Sequence, residues 1–449
     1  MIAITTADFA ERCGGSLVGL SGSEPITGFA TDSREVTQGS LFLAIKGAQV
    51  DGHDFAEGVV AAGAIAVLAE RPVPVPHILV PDLVQALAGF AKSKRAEFGG
   101  PVVGITGSNG KTSAKEFTAA ALSPLGSILK NPGNKNTEYT APLIWAELEG
   151  STKAVVSEMA MRGFGQIDHL AQLTQPNLAI ITMIGTAHIE MVGSREGIAR
   201  AKAEILSHLT GPAILWAEDD FIGTLRSLAP HEVITFGFSP DADCRIVGYR
   251  SQGWNQSQIR GVFRGEEFSA VLPTVGKHQA VNAASAIVAA VECGVNLADA
   301  AKSLQNATIP AMRMETREAA GVTYVLDNYN ASPDSMVAAL KTLMEVDSAG
   351  RRVAVLGEMR ELGDTAEQGH RLVGRALAMA DVDSVIVFGD MARWIAEEAI
   401  ALGFPASRLS QATSLDDIHD RLVDANEGDT VLVKGSRALF LERALEGIL

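Results

Sequence analysis

The sequence predicts an α/β protein of three domains: a small α/β N-terminal domain, a central domain with a mostly parallel sheet and an antiparallel part, and a C-terminal Rossmann-like, doubly wound domain. The chain has 449 residues, which is too many for a single hydrophobic core. Short β-branched runs alternate with helical stretches, a rhythm typical of parallel sheets. Glycine and proline joints divide the chain, and we place the domains at residues 1–98, 99–312 and 313–449.

Composition excludes several classes of protein. The formal net charge of −16 argues against binding to nucleic acid or to an anionic membrane. The three cysteines, Cys13, Cys244 and Cys293, are far apart and lack the spacing of a metal site, which suits a reducing cytoplasm. No apolar run reaches the roughly 18 residues of a membrane span, and the first residues lack a basic region. We therefore expect a cytoplasmic protein without a signal peptide or membrane insertion.

The first two domains are predicted from short runs of regular pattern. In the first, residues 40–45 read as a strand, and 55–64 and 83–97 read as helices, before the joint Gly99-Gly100-Pro101. The second follows a βαβ rhythm, and its alternating residues 243–272 predict antiparallel hairpins. The remaining central elements are strands at 102–106, 153–157, 178–183 and 213–216, and helices at 111–122, 195–208 and 278–292.

The last domain alternates strands and helices again. Its predicted strands lie at 322–327, 352–356, 384–388 and 430–434, and its predicted helices at 334–345, 366–380, 391–402 and 415–425. Gly435-Ser436-Arg437 is predicted to open a final helix. With Lys434 and Arg437, the N-terminus of that helix would form a second anion site, although a simple helix cap explains the residues nearly as well.

The most informative motif is a glycine-rich turn that joins a strand to a helix. Residues 101–112 run from Pro-Val-Val through three glycines to Lys111 and Thr112. Free N–H groups at a helix N-terminus and one lysine form a phosphate cradle, and the threonine hydroxyl can contact a phosphate-bound Mg²⁺. The motif therefore predicts binding of a nucleoside triphosphate. A strict Walker A motif has glycine where this chain has Ile105.

Other residues at predicted strand ends have two interpretations each. Glu158 could hold Mg²⁺ or be a surface carboxylate, and His188, taken alone, is more often structural. Lys202 lies within a helix, where a lysine is ordinarily a solvated charge. Asp327 could bind a ribose and Tyr329 could stack on a base, although the same residues suit an Asx-Pro turn. No arrangement for covalent catalysis stands out, so positioning and electrostatics would have to activate a phosphoryl group.

Residues Gly104–Thr112 resemble the ATP loop of the Mur ligases, ATP-dependent amide-forming enzymes of peptidoglycan synthesis whose loop has the same shifted glycine spacing. The resemblance spans the chain, because the segments 201–205 and 276–282 also follow the family's order. Motifs at 327–336, 356–363 and 433–437 are most similar to the family member that adds D-alanyl-D-alanine to UDP-N-acetylmuramoyl-tripeptide, the last cytoplasmic step of peptidoglycan precursor synthesis. One departure is Ser332, which stands where the family usually has asparagine.

The resemblance implies an acyl-phosphate mechanism and a role for each site residue. It implies a catalytic set of Lys111, Glu158, His188 and Lys202, with one Mg²⁺ on Thr112 and Glu158 and a second on His188 and a carbamylated Lys202. It implies that ATP is bound by Gly107, Ser108, Asn109, Gly110, Lys111, Thr112, Asn282, Arg313, Asp327 and Tyr329. It implies that the UDP-sugar is bound by Ser33, Arg34, Lys46, Asp51 and His53. It implies that the acceptor D-Ala-D-Ala is bound by Asn330, Glu358, Lys434, Ser436 and Arg437.

Three alternatives remain open from the sequence. The preceding Mur ligase, which adds the third amino acid, usually carries an Asp-Asn-Pro-Arg signature that this chain lacks. Folylpolyglutamate synthase usually reads Asp-Gly-Ala-His-Asn-Pro where this chain has the segment 327–333. A catalytically idle nucleotide-binding module is the third alternative, and the complete set of phosphate and metal residues argues against it. We expect a monomer whose partners are its small-molecule substrates.

Overall fold

The N-terminal domain contains two small sheets. The computed structural model describes residues 4–47 and 50–449. A two-stranded antiparallel sheet has the order β1-β3, and a five-stranded sheet has the order β2-β7-β6-β5-β4, with only the β2–β7 pair antiparallel. The elements are β1 (Ile4–Thr5), α1 (Thr6–Cys13), β2 (Ser16–Val18), β3 (Pro25–Ile26), β4 (Gly28–Ala30), β5 (Ser40–Leu43), α2 (Ala56–Ala61), β6 (Ala66–Ala69), β7 (His77–Leu79) and α3 (Leu83–Ala96).

The central domain is built on one nine-stranded sheet. Its strands are β8 (Val102–Thr106), β9 (Ser127–Lys130), β10 (Thr152–Glu158), β11 (Leu178–Ile181), β12 (Ala213–Trp216), β13 (Val233–Gly237), β14 (Cys244–Ser251), β15 (Ser257–Phe263) and β16 (Glu266–Leu272). Its helices are α4 (Lys111–Leu122), α5 (Gln166–Thr174), α6 (Ile189–Val192), α7 (Arg195–Ala203), α8 (Ile222–Leu228), α9 (Lys277–Glu292) and α10 (Leu297–Ser303).

The strand order of this sheet places β8, which leads into the glycine-rich loop of residues 104–112 (the P-loop), third from one edge. The order is β16-β15-β14-β13-β12-β11-β8-β10-β9, parallel from β9 to β14 and antiparallel beyond. The five residues of β8 are all buried, as expected for a strand covered on both faces. The predicted mixture of parallel strands and antiparallel hairpins is therefore confirmed.

The C-terminal domain has a six-stranded sheet of order β17-β18-β22-β19-β20-β21, in which only β17 and β18 pair antiparallel. Its elements are β17 (Glu315–Ala319), β18 (Val322–Leu326), α11 (Pro333–Glu345), β19 (Arg352–Gly357), α12 (Ala366–Ala378), β20 (Ser384–Phe388), α13 (Arg393–Ala401), β21 (Leu409–Ala412), α14 (Leu415–Val423) and β22 (Thr430–Lys434). The predicted α/β three-domain fold is confirmed.

The prediction of a final helix from Gly435 is wrong. The chain instead forms two short 3₁₀ turns, Arg437–Leu439 and Leu441–Leu445. Phe440 separates them with a φ of +51°, a left-handed conformation that an α-helix does not contain. A site at the N-terminus of a full helix is therefore absent here.

Two apolar cores cover the two faces of the central sheet. On one face, α4, α9 and α10 pack over β8 and the hairpin strands. On the other face, α5 packs together with α3 of the N-terminal domain, whose Phe90 and Leu87 are fully buried in the same cluster as Trp145. The first two domains thus share one continuous core. Among residues 4–47 and 50–449, no helix combines the length and apolarity that crossing a membrane requires.

Candidate active site

A cavity of about 330 Å³ lies between the central and C-terminal domains. The P-loop, the start of α9 and the loop after β18 converge on it, at the carboxyl ends of the strands where α/β sheets bind ligands. Sequence-predicted residues that line it are Ser108, Asn109, Gly110, Lys111, Thr112, Glu158, His188, Asn282, Arg313, Asp327, Tyr329, Asn330 and Lys434. The fold therefore brings together residues that are more than 300 positions apart in sequence.

Two glycines of the P-loop occupy positions that no other residue fits. Gly107 has a φ of +146°, and a Cβ there would lie 1.9 Å from Oγ1 of Thr182. Gly110 has a φ of +82°, and a Cβ there would lie 2.6 Å from Oδ1 of Asn282. Ile105 is still part of the buried strand β8, which explains why this loop lacks the first Walker A glycine. The loop's turn begins only at Gly107.

Lys111 folds back over the P-loop. Its Nζ donates hydrogen bonds to the carbonyl oxygens of Gly107 (2.8 Å) and Ser108 (3.2 Å). Desolvation lowers the pKa of Lys111 to about 8; the Glu158 carboxylate opposes this shift and the Arg313 guanidinium adds to it. An incoming anion would raise this pKa again, so phosphate binding and protonation of Lys111 reinforce each other.

Glu158 is a buried carboxylate, and one of its two oxygens accepts no hydrogen bond from residues 4–47 or 50–449. Its Oε1 accepts hydrogen bonds from Nδ2 of Asn136 (2.7 Å) and from Oγ1 of Thr112 (3.2 Å). Its main-chain N–H donates to Oδ1 of Asn131 (2.7 Å). Its Oε2 has no hydrogen-bond partner among the described residues, although Glu158 is only 1% exposed. The surface-carboxylate interpretation is therefore wrong.

His188 lines the cavity, whereas Lys202 does not, although its charge acts on His188. Lys202 is fully buried, and its Nζ has no hydrogen-bond partner in the part of the chain that the structure describes. Desolvation, and then the Lys111 charge, hold its pKa well below the ordinary value. Desolvation, followed by the charges of Lys111 and Lys202, lowers the pKa of His188 to about 4. Lys202 is thus a buried amine and not a solvated charge.

The C-terminal domain contributes an aromatic and ionic wall. The Arg313 guanidinium lies 4.3 Å from the centre of the Tyr329 ring, a cation–π contact. Oδ1 of Asp327 accepts from the main-chain N–H of Met314 (3.1 Å), and Oδ2 lies 2.7 Å from Nζ of Lys434. These contacts fix the Asp327 carboxylate at the cavity.

The five predicted acceptor residues divide into two groups. Asn330 and Lys434 line the cavity, but Lys434 is 2% exposed and also donates to the carbonyl oxygens of Asp327 (3.0 Å) and Asn330 (3.1 Å). The cavity is not lined by Glu358, Ser436 or Arg437. Arg360 links two of them: its main-chain N–H donates to the Ser436 hydroxyl (2.8 Å), and its Nε donates to Glu358 (3.2 Å). Arg437 forms an ion pair with Glu442.

The predicted UDP-sugar residues lie in the N-terminal domain, outside this cavity. Ser33 and Arg34 lie in one 3₁₀ turn. Asp32 caps this turn and also forms an ion pair with Arg34, and Lys46 forms a β-bridge with Asp51. Asp51 accepts from the main-chain N–H of His53 (3.0 Å) and from its Nδ1 (2.6 Å), and these bonds lower the pKa of Asp51 to about 2. Nε2 of His53 accepts from the N–H of Glu70 (3.0 Å), so both ring nitrogens of this buried histidine are engaged.

Sequence reasoning assigned no role to several residues of the site. Asn136 holds Glu158, and Lys115 lies beneath it, one turn after Lys111 on α4. Asp334 lines the cavity and accepts from the N–H and the hydroxyl of Thr186 (both 3.1 Å). The helical spacing from Lys111 to Lys115 places both lysines on one face and could have revealed the second. Asn136 and Asp334 lie in loops or helix ends without a comparable signal.

Comparison with known proteins identifies the family. Sequence models of the Mur ligase family match three successive parts of the chain: the "Mur ligase family, catalytic domain" at residues 25–95, the "Mur ligase middle domain" at 105–290 and the "Mur ligase, glutamate ligase domain" at 312–437. The UDP-N-acetylmuramoyl-tripeptide--D-alanyl-D-alanine ligase of Bacillus subtilis is 35% identical over 460 residues, covering 100% of this chain and 99% of that protein. This chain belongs to the Mur ligase family.

Solved structures agree with the sequence match. A crystal structure of MurF from Acinetobacter baumannii superposes on this Mur ligase with a TM-score of 0.88 at 29% identity, covering 100% of this chain and 99% of the other. MurF ligase from Thermotoga maritima in complex with ADP gives a TM-score of 0.79 at 32% identity, covering 93% and 96%. The resemblance to the family that the sequence suggested is therefore confirmed along the whole chain.

Proposed function

We propose that this Mur ligase adds D-alanyl-D-alanine to UDP-N-acetylmuramoyl-tripeptide during synthesis of the peptidoglycan precursor. The observation that carries the proposal is the single cavity in which the P-loop of one domain meets Asp327 and Arg313 of another. A relative with this activity in its name aligns with the chain from end to end. ATP is the activating substrate, because a carboxylate is a poor electrophile at neutral pH and needs a phosphoryl group before an amine can attack it.

The nucleotide would bind across the cavity. In this proposal the P-loop N–H groups of residues 107–112 and Lys111 hold the β- and γ-phosphates. Asn282, beside Gly110, would face the adenine, and Tyr329 would face the base as well. Arg313 would contact the ribose or the phosphates, and Asp327 would bind the ribose hydroxyls. An ADP complex is known for the Thermotoga maritima relative.

The residues present fit two Mg²⁺ ions, although the described residues contain no cluster of three or more His, Cys, Asp or Glu side chains. The unpartnered Oε2 of Glu158 and the Thr112 hydroxyl suit one ion. His188 and Lys202 suit a second if Lys202 is carbamylated, and its buried amine is the neutral nucleophile that this reaction requires. The amine adds to CO₂, loses one proton and becomes a carboxylate-like anion. When bound, the ions would neutralise charge on the phosphates.

The chain's own residues would order two chemical steps. The peptide carboxylate attacks the γ-phosphorus of ATP, ADP leaves, and an acyl phosphate forms; Lys111 offsets the repulsion between the two anions. The amine of D-Ala-D-Ala then attacks the acyl carbon, phosphate leaves, and the amine loses a proton. Contacts between the central and C-terminal domains would keep water from the acyl phosphate.

Substrate binding follows the domain division that the sequence predicts. We assign the UDP-sugar to the N-terminal domain through Ser33, Arg34, Lys46 and Asp51, with His53 holding Asp51 in place. We assign D-Ala-D-Ala to the C-terminal domain near Glu358, Ser436 and Arg437, whose groups interlink through Arg360. Because one chain carries all these residues, we propose that the enzyme works as a monomer. We also propose that it is cytoplasmic.

An ADP-release assay tests the proposal. Purified protein receives ATP, Mg²⁺ and UDP-N-acetylmuramoyl-tripeptide, and the acceptor is D-Ala-D-Ala, diaminopimelate, lysine or glutamate. Of these four acceptors, we expect only D-Ala-D-Ala to give sustained ADP release. Mass spectrometry should then detect a UDP-linked pentapeptide as the product. A second series replaces the tripeptide with UDP-N-acetylmuramoyl-dipeptide. Release in that series that depends on diaminopimelate or lysine would favour the preceding Mur ligase, and no release under any condition would favour an idle nucleotide-binding module.

A further inference from the structure

Lys115 is a fully buried lysine beneath the nucleotide cavity. It lies on α4 one turn after Lys111, so both side chains leave the same face of the helix. Its side chain is 0% exposed, and its Nζ lies 3.7 Å from Oε2 of Glu158, the oxygen without a hydrogen-bond partner. A buried ammonium is costly unless it is fully paired, so its retention at this place calls for a specific role.

The ammonium group also holds the loop that carries Asn136. Nζ of Lys115 donates to the carbonyl oxygens of Asn131 (2.8 Å) and Gly133 (2.9 Å). The same loop grips Glu158 twice, through Oδ1 of Asn131 on its main-chain N–H and through Nδ2 of Asn136 on Oε1. Lys115 therefore acts on Glu158 both directly, as a nearby charge, and through the loop.

A row of alternating charges continues from this point toward the surface. Lys115 lies 3.3 Å from Oε1 of Glu116, and Glu116 pairs on its other side with Lys130, which is 34% exposed. Within the part of the chain that the structure describes, Glu116 makes its polar side-chain contacts with these two lysines and not with Glu158. The two carboxylates are therefore distinct: Glu158 faces the cavity, and Glu116 lies on the side of the lysines, where Lys115 is already held by its two bonds to the loop carbonyl oxygens.

We propose that Lys115 is a positioning residue for Glu158. It fixes the carboxylate with Oε1 bound by Asn136 and Thr112, which leaves Oε2, free of hydrogen bonds from the described residues and 3.7 Å from the ammonium, as the ligand for the cation that accompanies the nucleotide. The inference rests on the proposed function, in which Glu158 serves Mg²⁺. Residues that orient a metal ligand typically change metal affinity by about 10- to 100-fold when they are replaced.

Calorimetric binding of ADP, with and without Mg²⁺, tests this role without measuring turnover. The readout is the Kd of ADP without Mg²⁺ divided by its Kd with saturating Mg²⁺. In Lys115→Met we expect this ratio to fall roughly tenfold relative to the unmodified protein, because losing the orientation of the carboxylate and its loop outweighs removing a positive charge near the cation. The Kd without Mg²⁺ should change little, because Lys111 and the P-loop amides remain. A purely structural role would lower the unfolding temperature and weaken both Kd values equally, leaving the ratio unchanged.

Glu116→Gln is the matched control, because it removes the neighbouring partner of Lys115 and leaves Glu158 untouched. Its ratio should stay within about twofold of the unmodified value. If Lys115→Met does not fold, Lys115→Gln, whose amide can still donate to a loop carbonyl, is measured in its place with the same expectation. An unchanged ratio in the Lys115 variant, or an equal loss in Glu116→Gln, overturns the inference. A ratio of one in the unmodified protein would instead refute the proposed Mg²⁺ role of Glu158.

Discussion

Replacing Lys434 with methionine separates two interpretations of this residue. The sequence resemblance implies contact with the acceptor, whereas the structure ties its Nζ to Asp327 Oδ2 at 2.7 Å and to two carbonyl oxygens. Breaking a buried ion pair by removing one partner costs about 3–5 kcal/mol. Because Asp327 keeps 17% side-chain exposure, water can solvate part of its charge, and we expect about 3 kcal/mol. That corresponds to an unfolding temperature lower by roughly 6–12 °C.

The kinetic consequence of Lys434→Met should appear on the nucleotide side. Without the ion pair to Lys434, the Asp327 carboxylate would no longer be fixed in one orientation toward the cavity. The KM for ATP should therefore rise, while the KM for D-Ala-D-Ala should stay within about twofold. Scanning calorimetry and steady-state ADP release measure the two effects. Adding Asp327→Asn should recover part of the stability, because it removes the unpaired charge. A higher KM for D-Ala-D-Ala alone, at unchanged stability, would refute this reasoning.

Three further predictions concern the activating residues and the N-terminal domain. Lys111→Ala should lower turnover by about 10²- to 10³-fold, since it removes a preorganised cation at the phosphates, while calorimetry should find unchanged binding of the UDP-sugar substrate. Lys202→Ala should be inactive and partly rescued by added acetate; failure of rescue, together with an unmodified Lys202 in a high-resolution map, would remove the carbamate from the mechanism. The pKa of Asp51 is lowered to about 2, so its stabilising effect is present above the unfolded value of 3.8 and is lost as pH falls toward 2. Asp51→Asn should therefore flatten the loss of stability between about pH 4 and 2, measured by urea unfolding.

The sequence predicts best where a local pattern coincides with the packing. Strand Val102–Thr106 and helix Lys111–Leu122 agree with the predicted 102–106 and 111–122 because a β-branched run, three glycines and an alanine-rich helix follow each other without ambiguity. The hairpins of residues 244–272 agree with the predicted 243–272 because alternating side chains face core and solvent. In each case the periodicity visible in the sequence is the one that burial requires.

Other features depend on contacts that no local pattern reveals. The strands of the N-terminal domain are two to four residues long, and apart from the predicted strand at 40–45, which corresponds to β5 (Ser40–Leu43), they are too short for periodicity to distinguish them from loops. Edge strand Ser127–Lys130 has only two apolar residues, which are neither alternating nor buried, so its sequence does not stand out from a loop. Lys202 and Lys115 carry the sequence signature of solvated helical lysines, and their burial follows only from the packing of helices on the sheet. Only the family resemblance pointed to Lys202, and nothing pointed to Lys115.

In the proposed function, the contacts between the P-loop and the C-terminal domain would link nucleotide binding to acceptor binding. The Ser332 hydroxyl caps α11 and also donates to Oδ1 of Asn109 in the P-loop (3.0 Å), despite being shorter than the asparagine usual in the family. Two residues later, Asp334 accepts both hydrogen bonds from Thr186. A nucleotide that orders Asn109 therefore also favours the docked position of α11, and by reciprocity the docked domain favours the nucleotide. Since the proposed acceptor residues belong to that same domain, the amine would reach the cavity in the arrangement that also shields the acyl phosphate from water.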